Sequence, residues 1–126
     1  MDTAWVTIGL VAFGWLTVFQ IALVAGAPLG RLAWGGTASV LPTGLRMASA
    51  VSVGLASFGW VVIAQAGGVI APLLPEGWLA PSLWVLAGLF GLSVVANLFG
   101  ATGAERLHGV PLAALCTGSC LVMALG

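Results

Sequence analysis

The chain has 126 residues, 61% of them hydrophobic and 5% charged, with a formal net charge of zero and a mean hydropathy of +1.21. A domain of this length cannot stay in water with so little polar surface, so its surface must face lipid. The zero net charge and lack of lysine exclude a basic patch for nucleic acid, and cysteines found only inside an apolar run, Cys116 and Cys120, exclude a secreted disulfide scaffold.

Four apolar segments are long enough to span a bilayer, which takes about 20 residues. The first covers about residues 4–26 and ends on Gly26 shortly before Pro28, a common way for a helix to stop. Ala25-Gly26-Ala27 has the small-x-small form of a signal cleavage site. The amino end, however, carries Asp2 and no basic residue, and the apolar run is long, so it reads as a retained span. The first connection, GAPLGRLAWGGTASVLPTGLR, is rich in Gly and Pro and holds Arg31 and Arg46.

The second segment spans 46–67. The stretch GVIAPLLPEGWLAPS, with three prolines, Glu76 and Trp78, reads as an apolar interfacial loop. The third segment, 81–100, opens on Pro81 in its first turn, where a missing N–H does no harm. The connection ATGAERLHG is the most polar piece of the chain. The fourth segment, 110–125, has Pro111 in its first turn and about 16 residues, slightly short for a bilayer. No repeat or internal boundary divides the chain, so residues 1–126 form a single four-span domain.

The expected fold is all-α: an integral membrane four-helix bundle, up-down and antiparallel. Arg31, Arg46 and Arg106 fall in the first and third connections, and the second connection and both termini have no basic residue. The positive-inside rule then puts both termini outside and the Gly/Pro-rich loop in the cytoplasm of a bacterial inner membrane. Trp5, Trp34, Trp78 and Trp84 suit interfacial belts, while Trp15 and Trp60 lie deeper.

Inside the spans the strongly polar side chains are Gln20, Gln65 and Asn97, with Gln20 and Asn97 at similar depth near the cytoplasmic end. Amides in hydrocarbon need partners, so interhelical hydrogen bonding is the plain reading and a ligand site the alternative. No ionisable residue sits at mid-span, which argues against the usual ion-coupled transporter. Small residues recur at helix-packing spacing, at Ala48, Ser52, Ala56 and Gly59 and again at Ala113 and Thr117 or Ala114 and Gly118. Cys116, Cys120 and Met123 share a helical face, but no further ligand completes a metal site, and packing explains them. His108 reads as a solvated loop histidine, and no catalytic motif occurs.

What remains is the cytoplasmic face. Glycines there let the backbone turn tightly and expose N–H groups, and arginines can hold phosphate. The candidate ligand-binding residues are Gln20, Arg31, Arg46, Asn97, Glu105 and Arg106. The competing reading is a structural cap in which Glu105 pairs with Arg46 or Arg31 across the loops.

The order GAPLG, Gly35–Gly36, Val40–Pro42 and Arg46, then Asn97, Glu105–Arg106 and Pro111, resembles a widespread set of small bacterial four-span membrane proteins with no assigned activity. That pattern has Trp where this chain has Leu29. The resemblance implies the four-span fold and selects the same cytoplasmic-side residues. Fluoride channels and small multidrug transporters share only the dimensions, since their polar pore signature and first-span Glu are missing here. The expected function is a small non-enzymatic membrane protein, without cofactor or metal. It would bind a membrane lipid or a partner membrane protein through its cytoplasmic cap. The alternative is a homo-oligomeric channel or carrier for a small solute, with Gln20 and Asn97 lining the path.

Overall fold

The computed structural model describes residues 3–36, 38–101 and 103–126. Four helices make up most of it: α1 Thr3–Val24, α2 Thr43–Ala66, α3 Glu76–Gly100 and α4 Gly103–Leu125. Each is long and apolar enough to cross a membrane, and no strand occurs among the described residues.

Two helices begin earlier than the prolines in the sequence suggest. α3 starts at Glu76, not at Pro81, with Pro75 as its extended N-cap and the Glu76 carboxylate in the first turn, where the helix dipole favours it. Pro81 then lies within the helix and withholds only the N–H that would reach the Gly77 carbonyl. α4 starts at Gly103 and runs through Pro111. Most of the polar connection is therefore helix, and the fourth span has 23 residues and is not short.

α1 and α4 are the inner helices. α1 packs along α2 on one side and α4 on another, α3 packs chiefly on α4, and α2 touches α3 only sparingly. The α1–α2, α1–α4 and α3–α4 contacts run antiparallel, because low numbers on one helix meet high numbers on the other. Gly67 of α2 meets Val6, and Gly59 meets the Phe13 ring. Gly118 of α4 meets Trp5, and Gly109 meets Asn97 of α3. Lipid supplies no hydrophobic drive between helices, so close approach through glycine has to supply the packing.

Mid-bundle the space is filled. Phe13, Val62, Ile63, Leu86, Cys116 and Cys120 are all buried there. Phe13 and Phe90 meet edge to face, with centroids 5.2 Å apart. The cysteine face thus serves the core, and Ala56 and Gly59 of the small-residue stripe are buried against α1's side of α2.

A side chain at Gly59 would have to displace the fully buried Phe13 ring, whereas Gly54 faces open space. Gly59→Leu should therefore lower stability by about 1–3 kcal/mol or more through overpacking. Thermal unfolding in detergent checks this, with Gly54→Leu expected to melt no lower than the parent.

Candidate functional site

The first connection does not trail from the bundle. It folds back as two single 3₁₀ turns, Gly30–Leu32 and Trp34–Gly36, and lays Ala33 and Leu41 against Phe19 and Leu23 of α1. Two glycine requirements fix its path. Gly30 donates its N–H to the Ser39 carbonyl at 2.7 Å, and a Cβ at Gly30 would collide with the Ala38 carbonyl oxygen. Gly35 and Gly36 take φ of +86° and +69°, the left-handed region open to glycine. Trp34 enters that region too, at φ +52°, a conformation uncommon outside glycine. Its indole N–H holds it there by donating to Ser49 Oγ of α2 at 2.8 Å.

This loop closes over Glu105, in the first turn of α4 and only 7% exposed. The Gly35 N–H donates to Glu105 Oε2 at 3.1 Å, and Glu105 Oε1 is buried without a partner. The expected pairing of Glu105 with Arg46 or Arg31 does not form. Arg46 instead donates from Nε and Nη2 to the Val24 carbonyl, at 2.9 and 2.6 Å. The reason is local: the last carbonyls of a helix have no partner within it, and Arg46 reaches the end of α1 from the start of α2.

Beneath the loop lies a cavity of about 480 Å³ between α2 and α3, floored by α1 and α4. Gln20, Asn97 and Glu105 line it together. Gln20 is 8% exposed, and its Oε1 is buried without a partner. Asn97 donates from Nδ2 to the Ser93 carbonyl of its own helix and packs against Gly109 of α4. The three remaining candidates stand apart from the cavity wall. Arg46 caps α1, Arg106 is exposed and donates from Nη2 to the Ala101 carbonyl, and Arg31 is exposed.

His108 is not a loop residue. It is half-buried in α4 and lines the cavity, its Nε2 accepting the Trp15 indole N–H at 2.8 Å and its ring 4.5 Å from that of Phe19. Accepting at Nε2 makes it the tautomer protonated at Nδ1. Sequence reasoning missed this placement, though a signal existed. Thr102 and Glu105 have the Thr-x-x-Glu spacing of a helix start, although Thr102 itself lies outside the described residues. Read that way, Glu105, His108 and Leu112 fall on one helical face, and all three line the cavity.

Gln65, at the opposite end, bonds to neither helix face. Its Oε1 accepts the N–H groups of Leu73 and Leu74, and its Nε2 donates to the Leu74 carbonyl. One side chain thereby pairs three backbone groups of the proline-rich connection. No group of three or more metal-ligating side chains comes together among the described residues. In comparisons with known proteins, no family model, curated protein or solved structure matches the chain.

Removing the Arg46 guanidinium leaves the Val24 carbonyl without its donor at a half-buried position. Arg46→Ala should cost about 1–3 kcal/mol, seen as a lower melting temperature in detergent. Arg31→Ala, at an exposed site without a comparable bond, should stay within about 0.5 kcal/mol of the parent.

Proposed function

We propose that the protein is a non-enzymatic, multi-pass protein of the bacterial inner membrane that binds a membrane lipid along the α2–α3 seam. The head group occupies the cavity beneath the first loop, and an acyl chain follows the seam toward the other end. The observation that carries this reading is the continuity of a polar-ended cavity with an apolar groove. Leu55 borders both the cavity and a second space of about 390 Å³ lined by Phe58, Trp78, Pro81, Val85 and Leu86. On α3, Leu86 and Phe90 stand one turn apart, so the two spaces follow one another along the same helix. Polar groups converging at one end of an otherwise apolar pocket are the usual form of a small-molecule site.

The three arginines gather at the cavity end of the bundle, which supports a cytoplasmic orientation for that end. The alternative, a channel or carrier with Gln20 and Asn97 along its path, would have to pass the fully buried Phe13, Ile63 and Cys116. Such a path is better built between copies of the chain than through one.

Native mass spectrometry of protein released from nanodiscs tests the reading. One lipid per chain should survive delipidation. Ala96→Trp, at an exposed position on the cavity wall, should remove that adduct with little change in melting temperature. A bare, discrete oligomer that conducts ions in liposomes would replace lipid binding with the channel.

A further inference from the structure

We infer that the site takes a phospholipid whose head group ends in a primary ammonium, with Glu105 as its counter-ion and Gln20 as a second acceptor. The inference rests on the lipid reading above and adds the head-group chemistry. It begins from two buried oxygens. Glu105 Oε1 and Gln20 Oε1 are both without a partner, both belong to side chains more than nine-tenths buried, and both residues line the same cavity. Buried polar atoms in folded proteins nearly always have partners, so two orphans at one cavity call for a ligand that complements them. Both are acceptors, so the ligand must donate.

Several neighbouring side-chain donors are already committed, and those left on the wall, the His108 Nδ1–H, the Ser93 hydroxyl and the Gln20 amide N–H groups, are all neutral. The Trp34 indole N–H goes to Ser49, the Trp15 indole N–H to His108 Nε2, and Asn97 Nδ2 to the Ser93 carbonyl. The Arg46 Nε and Nη2 groups are held at the Val24 carbonyl, and neither Arg31 nor Arg106 lines the cavity. A phosphate, which brings acceptors and negative charge, would meet a carboxylate and an amide oxygen here. It would meet the Glu105 charge with no cation on the cavity wall to offset it. A primary ammonium carries three N–H donors and a positive charge, enough for both orphan oxygens with one bond to spare. A trimethylammonium has the charge but no N–H, and a glycerol head has hydroxyl donors but no charge. The site therefore distinguishes these three heads. The apolar seam leading from the cavity assigns the ammonium to a lipid rather than to a free amine in water.

The test uses the whole protein in nanodiscs containing equal amounts of phosphatidylethanolamine, phosphatidylcholine and phosphatidylglycerol. Retained lipid is read by native mass spectrometry and the fold by thermal melting. The parent should retain the ethanolamine lipid at least about tenfold over either competitor, the worth of one charge-assisted hydrogen bond. Glu105→Gln, which keeps an acceptor for the Gly35 N–H, should bring that preference near parity while lipid is still retained. If Glu105→Gln fails to fold, Gln20→Leu should reduce the preference in the same direction. Equal retention of the three lipids by the parent overturns the head-group inference and leaves the lipid reading standing. Retention of none overturns both. Free ethanolamine that binds the parent in detergent as tightly as the lipid does overturns the lipid as source of the amine. A preference unaltered in both variants removes Glu105 and Gln20 from the site.

Discussion

The bundle depends on how closely α1 can approach two helices at once. Gly59 gives the Phe13 ring its place, and Gly9 sits where a Cβ would meet both Ile63 of α2 and Ser119 of α4. With three backbones drawn together around α1, α3 is left to dock on α4 from outside. Its Phe90 reaches the core at Phe13, but its backbone meets α2 only sparingly. The seam between α2 and α3 is therefore a consequence of where the glycines are. A cavity opens there because no side chain from α2 or α3 crosses to fill it beneath the first loop.

That loop can lie over the seam's end because its backbone is accounted for locally. Gly30 bonds to Ser39, Ala33 to Gly30 and Gly36 to Ala33, and the left-handed turn aims the Gly35 N–H at Glu105. Few groups at a membrane boundary can be left unpaired cheaply, and the polar residues of this chain are spent accordingly. Arg46 closes the end of α1, Gln65 satisfies the opposite connection, and Ser57, Thr17 and Ser119 bond back to their own helices. Against that background Glu105 Oε1 and Gln20 Oε1 stand out as groups with no structural task.

Much of this was legible in the sequence. Hydropathy and length identify the four helices, and one loop-rich end collects Gln20, Asn97 and Glu105 in a common place. The differences in α3 and α4 share one cause: the sequence favours Pro81 and Pro111 as helix starts. Proline is indeed favoured in a first turn, but it is tolerated farther in where neighbouring helices hold the chain, as they do in membrane bundles. Moving the start of α4 from 110 to 103 changes the site more than the fold. It turns Glu105 from a loop charge seeking an arginine into a buried carboxylate, and His108 from a solvated residue into a partner of Trp15. The Arg46 bond was not legible either, since nothing in a linear pattern says that a guanidinium prefers a helix-end carbonyl to a carboxylate of opposite charge.

The unfavourable features of the molecule are concentrated, and their concentration has meaning. A buried acceptor without a partner costs about 1–3 kcal/mol, and a tryptophan in the left-handed region costs on the order of 1–2 kcal/mol. Both orphan oxygens and the left-handed Trp34 lie around one cavity at one end of the bundle. The opposite connection, richer in proline, has its Leu73 and Leu74 backbone tied by a single glutamine. A chain selected for stability alone could replace Glu105 and Gln20 with apolar residues of similar shape, since a buried polar group without partners is worse than a well-packed apolar one. Local departures from the rules that govern the rest of a structure gather where function opposes stability. In this bundle they gather where the loop, the seam and the first turn of α4 meet.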